Sequence, residues 1–349
     1  MPLSSKDVLF LGRGASTISW YRCGAPAFSL GCDWVGAGGD DPNKLNLITA
    51  IKRDGMELPV LDDYKIVILQ QVKGQLWFNE IRRLKEKRVK VLYEIDDYIH
   101  GVSKLEHHEF KGAYNKKTIA AHELCMRAAD GLIVSTDWLA KRYSKFNRNV
   151  YVCKNAVEAK RYNLEIPERD TINIGWAGST GHAYAVDKWI PAIRQILDEY
   201  SEARFISVGL NVAESHRLYE TGRSMALPIS SIENFPGVLT NFDIALGPAE
   251  HNNFYAGKSD LRMLEVGALS IPLVGDPFVY KEIIHGETGM AAVTSEEAYE
   301  GMKRLIDEEE LYEEICYNVK DYVDSERSME NKGCEQWERV FVQVAGQSI

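Results

Sequence analysis

With 349 residues, 45% of them hydrophobic and 26% charged, the chain is long enough for two globular domains and too apolar for disorder. Its net charge of −10 excludes broad electrostatic adhesion to nucleic acid or anionic lipid. Six cysteines (Cys23, Cys32, Cys125, Cys153, Cys316, Cys334) are scattered without C-x-x-C pairing or metal-ligand spacing, as expected of a reduced intracellular protein that holds no metal.

The short polar segment Met1–Asp7 leads directly into an apolar run and does not read as a signal peptide. No apolar run reaches the roughly 20 residues that span a bilayer. The expected location is the cytoplasm, or at most the periphery of a membrane. Apolar runs then alternate with helical patterns, the signature of parallel sheets with crossover helices. Asp7–Leu11 and Lys65–Leu69 are expected strands, followed by a helix over Gly74–Lys87 and a strand over Val89–Ile95. Around that helix, Arg82, Arg83, Lys85, Lys87, Arg88 and Lys90 form a basic cluster. It is either a solvated face or a surface turned toward an anionic acceptor or membrane. A helix near Lys117–Ala129, a strand Gly131–Ser135, a helix Asp137–Phe146 and a strand Val150–Cys153 complete the first half. Glu158–Thr171 is polar and lacks periodicity, so it reads as a linker. The pattern restarts with the strand Ile172–Trp176, a helix over Asp187–Tyr200, and strands at Arg204–Val208, Phe242–Leu246 and Ile271–Val274. Ser325–Val344 reads as one long amphipathic helix carrying Trp337, Val340 and Phe341.

Two glycine loops could bring backbone N–H groups close to an anion. One is Gly12-Arg13-Gly14 after the first strand, with Arg22 as a further phosphate contact. Thr17 stands where a third dinucleotide-binding glycine would fall, which weakens an NAD-dependent reading. The other is Gly178-Ser179-Thr180-Gly181, followed by His182. Ligands of open α/β sheets bind beyond the carboxyl ends of strands, so the two loops suggest a ligand cleft between two domains. In Asn252–Pro272, Gly257 is expected to open a helix whose Lys258, Arg262 and Glu265 share a face. That face suits a diphosphate and a ribose, or forms a surface Arg262–Glu265 pair. Asp96-Asp97 ends a strand without forming a D-x-D metal motif. Asp97 and His100, with Asp96, His107 and His108 nearby, are the candidates for acid–base or acceptor-orienting work.

These stretches resemble the group 1 glycosyltransferases, a retaining family of GT-B fold. Phe254–Glu265 with Val266–Gly275 is similar to the family's donor helix and next strand, Tyr280–Gly289 to its following turn, and Asp130–Asn155 to its passage out of the first domain. The resemblance implies two facing Rossmann-like α/β domains with a C-terminal helix crossing back. Residues 1–160 would bind acceptor, 161–325 a nucleotide sugar, and 326–349 would pack toward the first domain. It implies a UDP- or GDP-sugar donor, no cofactor or obligatory metal, and retention of configuration. Glu265 would take the ribose hydroxyls and Lys258 and Ser259 the diphosphate, assisted by Arg13 or Arg262, with Gly178 and Ser179 also lining the donor site. Gly12–Gly14 would lie over the reacting centre. Gly257 stands where the family's first glutamate belongs, and the family's arginine near the second domain's first strand is replaced around Trp176. The downstream lysine is at best Lys188. A nucleotide-sugar epimerase and a catalytically silent nucleotide-sugar-binding protein are the alternatives. The acceptor stays open among glycan, lipid, protein, small molecule and modified DNA.

Overall fold

The structure, a computed structural model, describes residues 4–14, 16–36, 61–102, 104–105 and 111–346. His107 and His108 lie outside the described residues. The chain divides into two compact units, one of residues 1–100, 113–155 and 329–349, the other of residues 101–112 and 156–328.

The first unit is built on a six-stranded parallel sheet. Its strands are β1 (Val8–Gly12), β2 (Asp33–Gly36), β3 (Ile66–Gln70), β4 (Lys90–Glu94), β5 (Gly131–Val134) and β6 (Val150–Val152), in spatial order β2-β1-β3-β4-β5-β6. β1, β3 and β5 are buried throughout, which is why they read as unbroken apolar runs. The crossover helices are α1 (Ala25–Leu30), α2 (Gln75–Glu86), α3 (Lys116–Ala128) and α4 (Asp137–Tyr143). α2 buries Trp77, Ile81 and Leu84, one face at helical spacing, and leaves its basic residues outward. Asn115 and Thr136 cap α3 and α4 with side-chain oxygens.

The second unit repeats the plan with β7 (Ile172–Gly178), β8 (Ala203–Gly209), β9 (Ser224–Leu227), β10 (Ile244–Gly247), β11 (Leu273–Gly275) and β12 (Met290–Ala291). Their spatial order is β12-β11-β10-β7-β8-β9, again all parallel. Its helices include α5 (Ile190–Glu199), α6 (Leu261–Gly267), α7 (Ser295–Asp307) and α8 (Glu309–Glu326). The helix expected over Asp187–Tyr200 starts only at Ile190, after a separate turn, Ala183–Asp187.

The tail is not one helix. α8 ends at Glu326, Asn331 is non-helical (φ −108°, ψ −106°), and α9 runs over Cys334–Ala345. The break follows from Arg327, whose carbonyl accepts a bond from the Val157 N–H (3.0 Å) and whose side chain turns inward. α9 lays Trp337, Val340 and Phe341 on the first unit's sheet, with Trp337 and Phe341 edge-on to Phe10 at 5.2 and 6.0 Å. Burying each such ring contributes roughly 1.5–3 kcal/mol. Among the described residues no helix is long and apolar enough to cross a membrane.

Candidate functional site

In the second unit, four neighbouring strands (β7, β8, β10, β11) end on glycine: Gly178, Gly209, Gly247 and Gly275. Gly178 and Gly209 are in register. Gly209 has φ +90°, and a Cβ there would lie 2.6 Å from the Gly178 carbonyl oxygen, so only glycine fits. At Gly247 and Gly275 a Cβ would come within 2.5 and 3.0 Å of the Tyr280 ring, which lies over the ends of β10 and β11. Burial pushes the Tyr280 hydroxyl up to about 12.

The helix expected to open at Gly257 opens at Leu261, with Asp260 as its N-cap, and Gly257 instead caps a separate turn, Asn253–Ala256. The cause is a buried ion pair. Arg327 donates two bonds to the Asp260 carboxylate (2.5 and 2.8 Å), which fixes a negative charge where a helix begins. Lys258 and Ser259 therefore sit in the connection before α6, and the Lys258 ammonium lies 4.4 Å from the Phe254 ring centre. Arg262 and Glu265 do share a face. The Arg262 Nε donates to the buried Glu265 carboxylate at 3.3 Å, and its Nη1 donates to the Ala177 carbonyl at the end of β7. One guanidinium thus joins Glu265 to the strand that leads into Gly178 and Ser179. The His182 Nδ1 meets the Tyr255 hydroxyl at 3.2 Å, tying the same loop to the Asn253–Ala256 turn. Lys188 donates to the Ala249 carbonyl (3.2 Å). The buried Asp276 accepts bonds from the His251 Nε2 (2.8 and 3.1 Å) and the Phe278 N–H (2.9 Å).

In the first unit, the Gly12–Gly14 loop is held by side chains that sequence reasoning passed over. The Gln70 Oε1 accepts from the Arg13 N–H (2.9 Å) and from the Ser19 hydroxyl (2.6 Å), whose oxygen in turn accepts from the Gly14 N–H (3.2 Å). The Gln71 Oε1 accepts from the Arg13 guanidinium (2.9 Å), and its Nε2 donates to Asp96 (2.9 Å). Gln71 is buried with φ +49°, a left-handed conformation that costs a residue bearing a Cβ about 1 kcal/mol or more. The signal was the pair Gln70-Gln71 closing an otherwise apolar strand. Arg22 is not a phosphate contact. It is buried on a π-helical turn, with its Nε on Glu94 (2.7 Å) and its Nη1 on the Cys153 carbonyl (2.6 Å) and Asn155 (2.9 Å). Asp97 follows β4, and its carbonyl accepts from the Tyr143 hydroxyl (2.7 Å). The His100 Nε2 meets Glu123 at 2.9 Å, and its ring stacks on Phe146. Lys73 is held below its ordinary value by burial and by Arg13. Burial, then Lys73 and Arg13, lowers His122 to about 3. The basic cluster is partly neutralised, Arg83 by Asp62 and Glu80 and Lys85 by Asp130. Among the described residues, no group of three or more His, Cys, Asp or Glu could hold a metal ion.

Two parallel six-stranded sheets with crossover helices and a terminal helix constitute the GT-B fold, and comparison with solved structures bears this out. The chain is similar to HepE of Anabaena, solved with UDP and glucose, at 11% identity and a TM-score of 0.67 over 96% of this chain and 99% of that one. It is similar to a glycosyltransferase of Rickettsia africae at 13% identity and 0.64 over 98% and 100%. It is also similar to the sucrose-phosphate synthase of Thermosynechococcus elongatus, at 12% and 0.59 over 81% and 74%. No protein-family model matches the sequence, and no curated protein matches it.

Proposed function

We propose that this protein is a glycosyltransferase that moves a sugar from a UDP- or GDP-sugar to an acceptor, with retention of configuration as the sequence resemblance implies. The observation that carries the reading is the buried Glu265 carboxylate, held by Arg262 beside the carboxyl end of β7 in a chain of GT-B fold. A fixed carboxylate accepts two bonds from neighbouring ribose hydroxyls. Lys258 and Ser259, in the connection that leads into the same helix, would take the diphosphate, with Gly178 and Ser179 following the strand carbonyl that Arg262 holds. HepE, of the same fold, was solved with UDP-glucose.

In this reading the departing diphosphate is stabilised by cations and backbone dipoles, not by covalent chemistry. Arg262 is committed to Glu265 and to the Ala177 carbonyl, so it orients the Glu265 carboxylate for the ribose hydroxyls, and Lys258 does most of the neutralising. The first unit would bind acceptor at the carboxyl ends of β1, β3 and β4. There Gly12, Arg13 and Gly14 would approach the reacting centre, and Asp97 and His100 would orient or deprotonate the acceptor hydroxyl. The acceptor in this reading is a glycan, lipid, protein, small molecule or modified DNA, met in the cytoplasm or at the periphery of a membrane.

The test is thermal unfolding of the wild type and Glu265→Ala with UDP-, GDP- and ADP-sugars and the free diphosphates. A ligand at about 100 times its Kd adds roughly 2.7 kcal/mol. A selective rise that Glu265→Ala abolishes is expected, and the anomer of the product, read by NMR, reports retention or inversion. No rise with any nucleotide refutes the donor site.

A further inference from the structure

Gln71 is placed to do something that packing does not require. Strand β3 has ended at Gln70, and the Gln71 N–H is already satisfied by the Glu94 carbonyl (3.0 Å). The backbone nevertheless holds a left-handed φ of +49°, where glycine or asparagine would rest more easily. The side chain is buried, and its amide spans two groups of opposite charge. The oxygen accepts from the Arg13 guanidinium and the nitrogen donates to the Asp96 carboxylate, both at 2.9 Å. A glutamine is the residue for this position because it offers one acceptor and one donor on a single planar group. A carboxylate would repel Asp96, and a cation would repel Arg13. The neighbouring Gln70 holds the backbone of the same loop through the Arg13 N–H. The two glutamines, together with Ser19 on the Gly14 N–H (3.2 Å) and the Tyr114 hydroxyl on the Arg13 guanidinium (3.4 Å), therefore fix both the path of the Gly12–Gly14 loop and the direction of its only charged side chain.

We infer that Gln71 is a positioning residue, kept in a strained backbone conformation so that its amide sets Arg13 and Asp96 in a fixed relation at the carboxyl edge of the first unit's sheet. Backbone strain retained at such a place marks function at the expense of stability. The consequence for turnover rests on the transferase reading above. The consequence for Arg13 and for stability does not.

The test compares Gln71→Gly, which relieves the strain and removes the amide, with Gln71→Met, which keeps length and bulk without polar ends. Three readouts are thermal unfolding, order of the Arg13 side chain by heteronuclear NOE at its Nε, and steady-state turnover of a UDP-sugar. Gln71→Gly is expected to melt at or above the wild-type temperature. Both variants are expected to leave Arg13 mobile and to lower kcat at least tenfold. Misplacing a catalytic-site group by about 1 Å can cost about 100-fold in rate. Stabilisation by UDP, a property of the second unit, is expected to be unchanged in both. A lower melting temperature in Gln71→Gly, or an Arg13 as ordered as wild type in both variants, overturns the inference. If the wild type binds no nucleotide, the transferase reading fails, and the melting and Arg13 readouts still decide the role of Gln71.

Discussion

At the scale of single residues, the first unit keeps neutral a histidine that would otherwise charge. His122 is buried, with its Nδ1 on the Tyr93 hydroxyl at 2.7 Å, and titrates at about 3 in the fold against about 6.5 unfolded. Between those values the unfolded chain binds the extra proton. Stability is therefore whole above about pH 6.5 and falls as the pH drops, by up to about 1.4 kcal/mol per pH unit. Urea unfolding from pH 7 to 4 should show that slope, and His122→Gln, which does not titrate, should flatten it. An unchanged slope in the variant would assign the acid sensitivity elsewhere. Much at this scale was legible beforehand. Arg262 and Glu265 were expected on one face and are hydrogen-bonded, and the six cysteines were expected unpaired and are free. The glutamines behind the glycine loop were not legible, since their role depends on β3 lying between β1 and β4, which only the spatial strand order reveals. Arg22 misled for the same reason: its partners Glu94 and Asn155 stand far along the chain.

At the scale of elements, the strands with unbroken apolar runs were found within a residue or two, because burial on both faces leaves a plain pattern. The exceptions have physical causes. β2 and β9 are edge strands with mostly half-exposed or exposed residues, and β12 has only two residues. The start of α6 was missed because it is set by Arg327, a residue 67 positions away from its partner Asp260. That pair makes a sharp prediction. Removing one member of a buried ion pair leaves the other uncompensated, at a cost of about 3–5 kcal/mol. Arg327→Met should lose about that much in chemical denaturation and weaken UDP binding by releasing the Lys258–Ser259 connection. The double variant Arg327→Met with Asp260→Asn should recover part of the stability. A single variant within about 1 kcal/mol of wild type would show that the pair does not fix this element.

At the scale of the whole molecule, charge is unevenly divided. The first unit carries 24 Lys and Arg against 19 Asp and Glu, a net of +5, and the second 17 against 32, a net of −15. On the proposed reading, an anionic donor entering the second unit meets a repulsive long-range field, and its attraction has to be local to Lys258 and the backbone around it. Salt screens both effects, with a Debye length of about 8 Å at physiological strength. UDP affinity should therefore change by less than about twofold between roughly 50 and 300 mM salt, a range in which broad basic sites weaken steeply. A steep loss by titration calorimetry would mean that a larger basic surface takes part.

The position of α9 has a consequence for how the chain is made. Val8 and Phe10 leave the ribosome long before the helix that covers them with Trp337 and Phe341. Almost all of the second unit comes from one continuous stretch, 156–328, which is complete before α9 is synthesised. Nascent chains commonly finish their amino-terminal domain first. Here the second unit can close while the first unit's sheet still has one apolar face uncovered, so that sheet is the part that must be shielded until α9 has been made.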